Sequence, residues 1–82
     1  MDAYKAIRTA IRAYAEPYWL DNCKFFGFVD GGDVYHILLY PDGTWKLRGV
    51  RPSFNPQEVN IDAVIKKHYH AIQSELYHRK YN

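Results

Sequence analysis

Apolar and polar positions alternate along this chain with two different periods. Between Asp2 and Glu16 the residues Ala3, Ile7, Ala10, Ile11 and Tyr14 fall at helical spacing, with Lys5, Arg8, Thr9 and Arg12 on the other side. Asp2 stands before them as a suitable N-cap, so this stretch predicts an amphipathic helix. Pro17 disfavours helical geometry at Glu16, so the helix is expected to end or kink there, after which Tyr18, Trp19 and Leu20 lead into an Asp21-Asn22 turn.

The period then changes. Cys23 to Val29, Val34 to Tyr40 and Trp45 to Val50 are rich in aromatic and β-branched residues, separated by Asp30-Gly31-Gly32-Asp33 and by Pro41-Asp42-Gly43. Both separators read as hairpin turns. Gly31-Gly32 suits a two-residue turn with positive φ at both positions. Pro41-Asp42-Gly43 suits a three-residue loop that pairs Tyr40 with Thr44.

These turns decide which side chains share a face, because a slip of one residue sends every side chain across the sheet. In the favoured register one face holds Phe26, Phe28, Tyr35, Ile37, Leu39, Trp45 and Leu47, with Lys24 its one charge. The other holds Cys23, Phe25, Gly27, Val29, Val34, His36, Leu38, Tyr40, Lys46 and Arg48. A two-residue Asp42-Gly43 turn would instead flip the third strand.

Pro52 to Pro56 reads as a loop. A second helix is expected to start at Asn55-Pro56-Gln57-Glu58, an N-cap followed by proline and a glutamate at the third position, or at Asn60. Ile61, Val64, Ile65, His68, Tyr69, Ile72 and Leu76 form its apolar stripe, and it is expected to fray at His78-Arg79-Lys80. The expected fold is therefore α+β: a three-stranded antiparallel meander flanked by N- and C-terminal helices, in the order α-β-β-β-α.

Composition narrows the class. Eighty-two residues allow a single domain over 1–82, and 48% hydrophobic with 17% aromatic is the make-up of a packed chain. The net charge of +2 is too mild for a strongly basic nucleic-acid footprint. Its distribution is uneven: Asp21, Asp30, Asp33 and Asp42 surround the first two strands, whereas Lys46, Arg48 and Arg51 mark the third. A lone Cys23 makes no internal disulfide, and the first twenty residues have neither the pattern of a signal peptide nor that of a membrane span. A cytoplasmic protein with no membrane association is expected.

Candidate chemistry is sparse. His68 and His70 are two apart on a helix and point about 200° apart, so they cannot share an ion. Cys23 lies in no nucleophile signature and reads as a small hydrophobe. Asp30 and Asp33 read as turn formers, and the Gly-Gly turn between them is too short and too acidic to cradle phosphate. No cofactor, metal or catalytic residue is expected.

Tyrosine is abundant, with eight residues at positions 4, 14, 18, 35, 40, 69, 77 and 81. Tyr14, Tyr35 and Tyr69 fall on core stripes, and Tyr40, Tyr77 and Tyr81 are expected to be reachable. The second sheet face is too apolar for open water, through Phe25, Val29, Val34 and Leu38, and too polar for a sealed core, through His36, Tyr40, Lys46 and Arg48. Three covers are open. One helix packs on each face with the basic residues at the rim; or both helices share one face and the other meets a partner chain or an identical copy; or the aromatic rings stack bases while the basic residues hold phosphates.

The element order resembles that of double-stranded RNA-binding domains. Members carry a Gly-Pro-x-His loop and a lysine pair opening the last helix, whereas the loops here are acidic and Lys66-Lys67 sit within the helix. The resemblance implies RNA or DNA binding through Lys46, Arg48, Arg51 and the basic side of the first helix. The layout is also similar to that of small phage-type inhibitors of bacterial defence proteins, which implies docking on a larger protein. The expected function is a small non-enzymatic protein-binding module, an inhibitor or regulator, or a self-associating chain. Its contact residues are Phe25, His36, Tyr40, Lys46, Arg48 and Arg51, with Tyr40 and Arg48 as anchors.

Overall fold

A computed structural model describes residues 2–51 and 55–82. In chain order the elements are α1 (Ala3–Tyr14), β1 (Glu16–Pro17), β2 (Lys24–Asp30), β3 (Asp33–Leu39), β4 (Trp45–Gly49), β5 (Gln57–Glu58), α2 (Ile61–Lys67) and α3 (Tyr69–Tyr81). The strands form one antiparallel sheet in the order β1-β2-β3-β4-β5.

The class is α+β with helices at both ends, as expected, but the sheet has five strands instead of three. The added strands are the two-residue edges. Glu16 and Pro17 pair with Phe25 and Lys24, and Gln57 and Glu58 pair with Leu47 and Lys46. The second of these displaces the helix start expected at Asn55-Pro56. That helix begins instead behind Asn60, whose Oδ1 accepts from the amides of Asp62 and Ala63 at 3.0 and 3.2 Å. The loop expected over Pro52 to Pro56 falls partly outside the described residues.

The central meander has the favoured register. Asp30 pairs with Asp33 around Gly31 and Gly32, whose φ angles are 60° and 81°. Around Pro41-Asp42-Gly43, the amide of Tyr40 donates to the carbonyl of Thr44 at 3.0 Å and Leu39 pairs with Trp45. Gly43 has φ 89°, a region in which a Cβ collides with the backbone. Gly43→Ala is expected to lower stability by about 1 kcal/mol by urea titration. An unchanged midpoint would mean that the loop relaxes to another turn type.

A single core forms on the Phe26 face. Phe26, Phe28 and Ile37 pack with Ile7 and Ile11 of α1, Ile61, Val64 and Ile65 of α2, and Ile72 and Leu76 of α3, with Tyr14, Tyr35, Leu39, Trp45 and Leu47 at its margin. All three helices thus lie on one face, which overturns the arrangement of one helix per face. The amphipathic stripes explain it, since each helix has one apolar side and these sides merge into one cluster.

Two details of the helices depart from expectation. The single C-terminal helix is broken at His68 (φ −113°, ψ 31°), where the imidazole lies against Phe28 and Tyr35 and Nδ1 is 2.6 Å from Oδ2 of Asp30. Asp30 therefore has a tertiary partner besides its turn. Tyr69, the next residue, is exposed and not part of the buried stripe, while α3 continues through His78-Arg79-Lys80 to Tyr81 without the expected fraying.

Candidate binding face

With the helices gathered on one side, the opposite face of the sheet is covered by the chain between α1 and β2. Pro17 ends the helix and opens β1, and the amide of Tyr18 donates to the carbonyl of Cys23 at 2.9 Å. This closes a tight loop over Trp19, Leu20, Asp21 and Asn22 and folds its aromatic residues back across the strands. Trp19 stands edge-on to Phe25 and His36, with centroids 5.1 and 5.6 Å apart. Tyr18 also lies against Phe25 and His36.

Beneath this loop is a directional chain of hydrogen bonds. Arg48 Nη1 donates to the Tyr18 hydroxyl at 2.7 Å, and that hydroxyl is 2.8 Å from Nδ1 of His36. Arg48 can only donate, so the phenol accepts from it and has its own proton free for Nδ1, an arrangement that suits a neutral His36 protonated at Nε2. Burial and then the Arg48 charge hold the His36 pKa below its ordinary value, which fits that tautomer.

The six expected contact residues divide by position. Phe25, His36, Lys46 and Arg48 lie on adjacent strands of this face: His36 is paired between Gly27 and Arg48, and Leu38 between Phe25 and Lys46. Yet His36 is only 6% exposed and acts as a strut under the loop. Arg48 is half-buried and engaged by Tyr18. Tyr40 donates its hydroxyl to Asp21 Oδ2 at 2.7 Å, and Lys46 Nζ lies 4.7 Å over its ring. The Asp21 carboxylate raises the Tyr40 phenol well above its usual pKa, and Asp21 is lowered by the same bond. Arg51 lies at the far end, bonded to Asp33 at 2.6 Å.

What this face presents outward is mostly apolar. Trp19 is 67% and Leu20 55% exposed on the loop, and on the strands Val29, Val34 and Val50 stand 59%, 42% and 39% exposed. The valines are neighbours: Val29 pairs with Val34, and the Val50 amide donates to the Val34 carbonyl at 2.9 Å. Sequence reasoning missed Trp19 and Leu20 by treating them as a lead-in. The available signal was three consecutive large residues between a helix-ending proline and an Asp-Asn turn, a length that can fold back as a hairpin.

Cys23 is half-buried, and burial pushes its thiol pKa up, away from thiolate reactivity. Among the described residues no three His, Cys, Asp or Glu side chains cluster as metal ligands, and no helix is long and apolar enough to cross a membrane. The basic side of α1 is engaged as well: Arg8 pairs with Asp62, and Arg12 lies 4.7 Å over the Trp45 ring. Tyr69, Tyr77 and Tyr81 line a groove between α1 and α3 opposite Ala3, Ala6 and Ala10. Comparisons with protein-family models, with curated proteins and with solved structures give no match to this chain.

Proposed function

We propose that this chain is a small non-enzymatic protein-binding module that docks on a larger protein through the helix-free face of its sheet, as an inhibitor or regulator would. The observation that carries this reading is the exposure of large apolar side chains on this side of the sheet, Trp19 and Leu20 on the loop and the neighbouring Val29, Val34 and Val50 on the strands. A large aromatic beside aliphatic side chains is the make-up of the centre of a protein interface, where desolvation supplies most of the affinity. Phe25, His36 and Arg48 hold Trp19 and Tyr18 in place, and Tyr40 and Lys46 form the rim with Asp21.

The charge arrangement favours protein over nucleic acid as the partner. Arg51 is committed to Asp33, Lys46 to the Tyr40 ring and Arg48 to Tyr18, and Asp21, Asp33 and Glu58 lie among them. A phosphate backbone would meet carboxylates interleaved with bases that already have partners.

The test is capture from the native host with the wild-type chain and with a Trp19→Ser, Leu20→Ser variant. The expected result is a protein retained by wild type at both 50 and 200 mM salt, unaffected by nuclease and lost with the variant. Nucleic-acid binding would instead weaken by about 10³ or more over that salt range if 6–10 phosphates were engaged, and would replace this reading.

A further inference from the structure

Hydrogen-bond parity in the meander identifies an open length of sheet edge. Tyr40 donates to Thr44 and Val50 donates to Val34, so the even-numbered residues of β3 face β4. The odd-numbered ones therefore bond β2, through Lys24, Phe26, Phe28 and Asp30, their register partners. The main-chain groups of Cys23, Phe25, Gly27 and Val29 point the other way. Cys23 is used by Tyr18, and β1 pairs only as far as Phe25. Among the described residues nothing bonds the amides and carbonyls of Gly27 and Val29.

This edge lacks the usual protections. It carries no proline, and the residues Phe26-Gly27-Phe28-Val29 have no charge. It is also complementary to itself under a two-fold axis. Val29 projects from the helix-free face, 59% exposed, two residues from Gly27, which has no side chain. The place a Cβ would take at Gly27 is walled by Cδ2 of His36 and Cε2 of Phe25, 3.4 and 3.7 Å away. An antiparallel copy centred on Phe28 sets Val29 opposite the second copy's Gly27, a projecting side chain against a notch, and repeats the contact two residues on.

The geometry points to a second copy of this chain as the occupant of that edge: β2 pairs antiparallel with β2 of the copy through Gly27 and Val29. Two hydrogen-bonded pairs form, Gly27 with Val29 and Val29 with Gly27, and the sheet continues from one molecule into the other. The contact is a short one, so the dimer is weak and its population depends on concentration. Trp19 and Leu20 stay open for a partner protein while Val29 is shared by both contacts, so the Trp19→Ser, Leu20→Ser variant, which leaves this edge intact, separates the two readings.

Sedimentation velocity from 10 µM to 1 mM tests this. Wild type is expected to pass from monomer towards dimer, with the Gly27 and Val29 amides gaining protection from hydrogen exchange as concentration rises. Val29→Pro removes an amide that points away from β3, so the hairpin ladder is kept while dimerisation weakens at least tenfold. Val29→Lys, an edge-blocking charge on an exposed position, decides the matter should the proline variant lose its circular dichroism. A wild-type chain that stays monomeric at 1 mM, or a folded Val29 variant that dimerises as tightly as wild type, overturns the proposal.

Discussion

Truncating Phe26 to alanine is expected to remove about 3–5 kcal/mol of stability, the usual cost of deleting a fully enclosed aromatic side chain and leaving a cavity. The ring is 0% exposed, sits opposite Ile37 in the middle of the sheet, and has the Arg79 guanidinium 5.2 Å above it from α3. It therefore joins sheet to helix, and losing it loosens both. An 82-residue domain has a total stability of about 4–12 kcal/mol, so the variant gives up a large part of it. Val29→Ala on the same strand supplies the contrast, since Val29 faces solvent and its truncation should change stability by no more than about 0.5 kcal/mol. Urea titrations at neutral pH measure both. Because a one-residue slip would exchange their environments, a Phe26→Ala cost below that of Val29→Ala would refute the register itself.

That register was legible because two independent signals agree. Alternation divides β2, β3 and β4 into an aromatic-aliphatic face and a mixed one, and Gly31, Gly32 and Gly43 supply the three positive φ angles that the turns require. Pattern and turn chemistry then specify which large side chains meet the helices. What was not legible lacks a local cause. β1 and β5 are two residues each, one of them containing Pro17, and they exist because a neighbouring strand offers free main-chain groups. Neither has any periodicity to read. The break at His68 likewise coincides with a contact 38 residues away in sequence, Asp30 at the end of β2.

The candidate face shows the same division. Phe25, His36, Lys46 and Arg48 share one side of the sheet, and that follows from register. Their roles depend on the loop that covers them. Once Tyr18 and Trp19 fold back, His36 and Arg48 change from exposed polar groups into supports, and the outward surface passes to residues that the helix-to-strand connection supplies. A polar residue on an apolar face can contact a partner or brace the structure. Which it does is settled by tertiary neighbours.

The support under the loop has a pH signature. Tyr18→Phe keeps the ring packing but removes the hydroxyl that accepts from Arg48 and donates to His36, leaving a buried imidazole nitrogen and a half-buried guanidinium without partners. The expected cost is about 1–3 kcal/mol, more than the net worth of one hydrogen bond, because both ends are stranded in poorly solvated surroundings. His36 supplies the second readout. Its neutral form is the one bound, through burial and then the Arg48 cation, and the groups facing it are Tyr18 and Trp19 from the loop, Phe25 from β2 and Arg48 from β4, with no carboxylate among them. Its native pKa therefore lies below its unfolded value of about 6.5, and the unfolded chain takes up the proton first. Stability from this residue is complete above about pH 6.5 and is lost as pH falls below it, until the native pKa is reached. Replacing His36 with phenylalanine removes that titration. Other groups titrate alike in both chains, so the difference in urea midpoint between wild type and His36→Phe should shift with pH, wild type losing ground from pH 7 to pH 5. Parallel curves over that range would mean that His36 has the same pKa folded and unfolded, as a freely solvated imidazole has, and wild type gaining ground towards pH 5 would mean that His36 is charged in the folded chain.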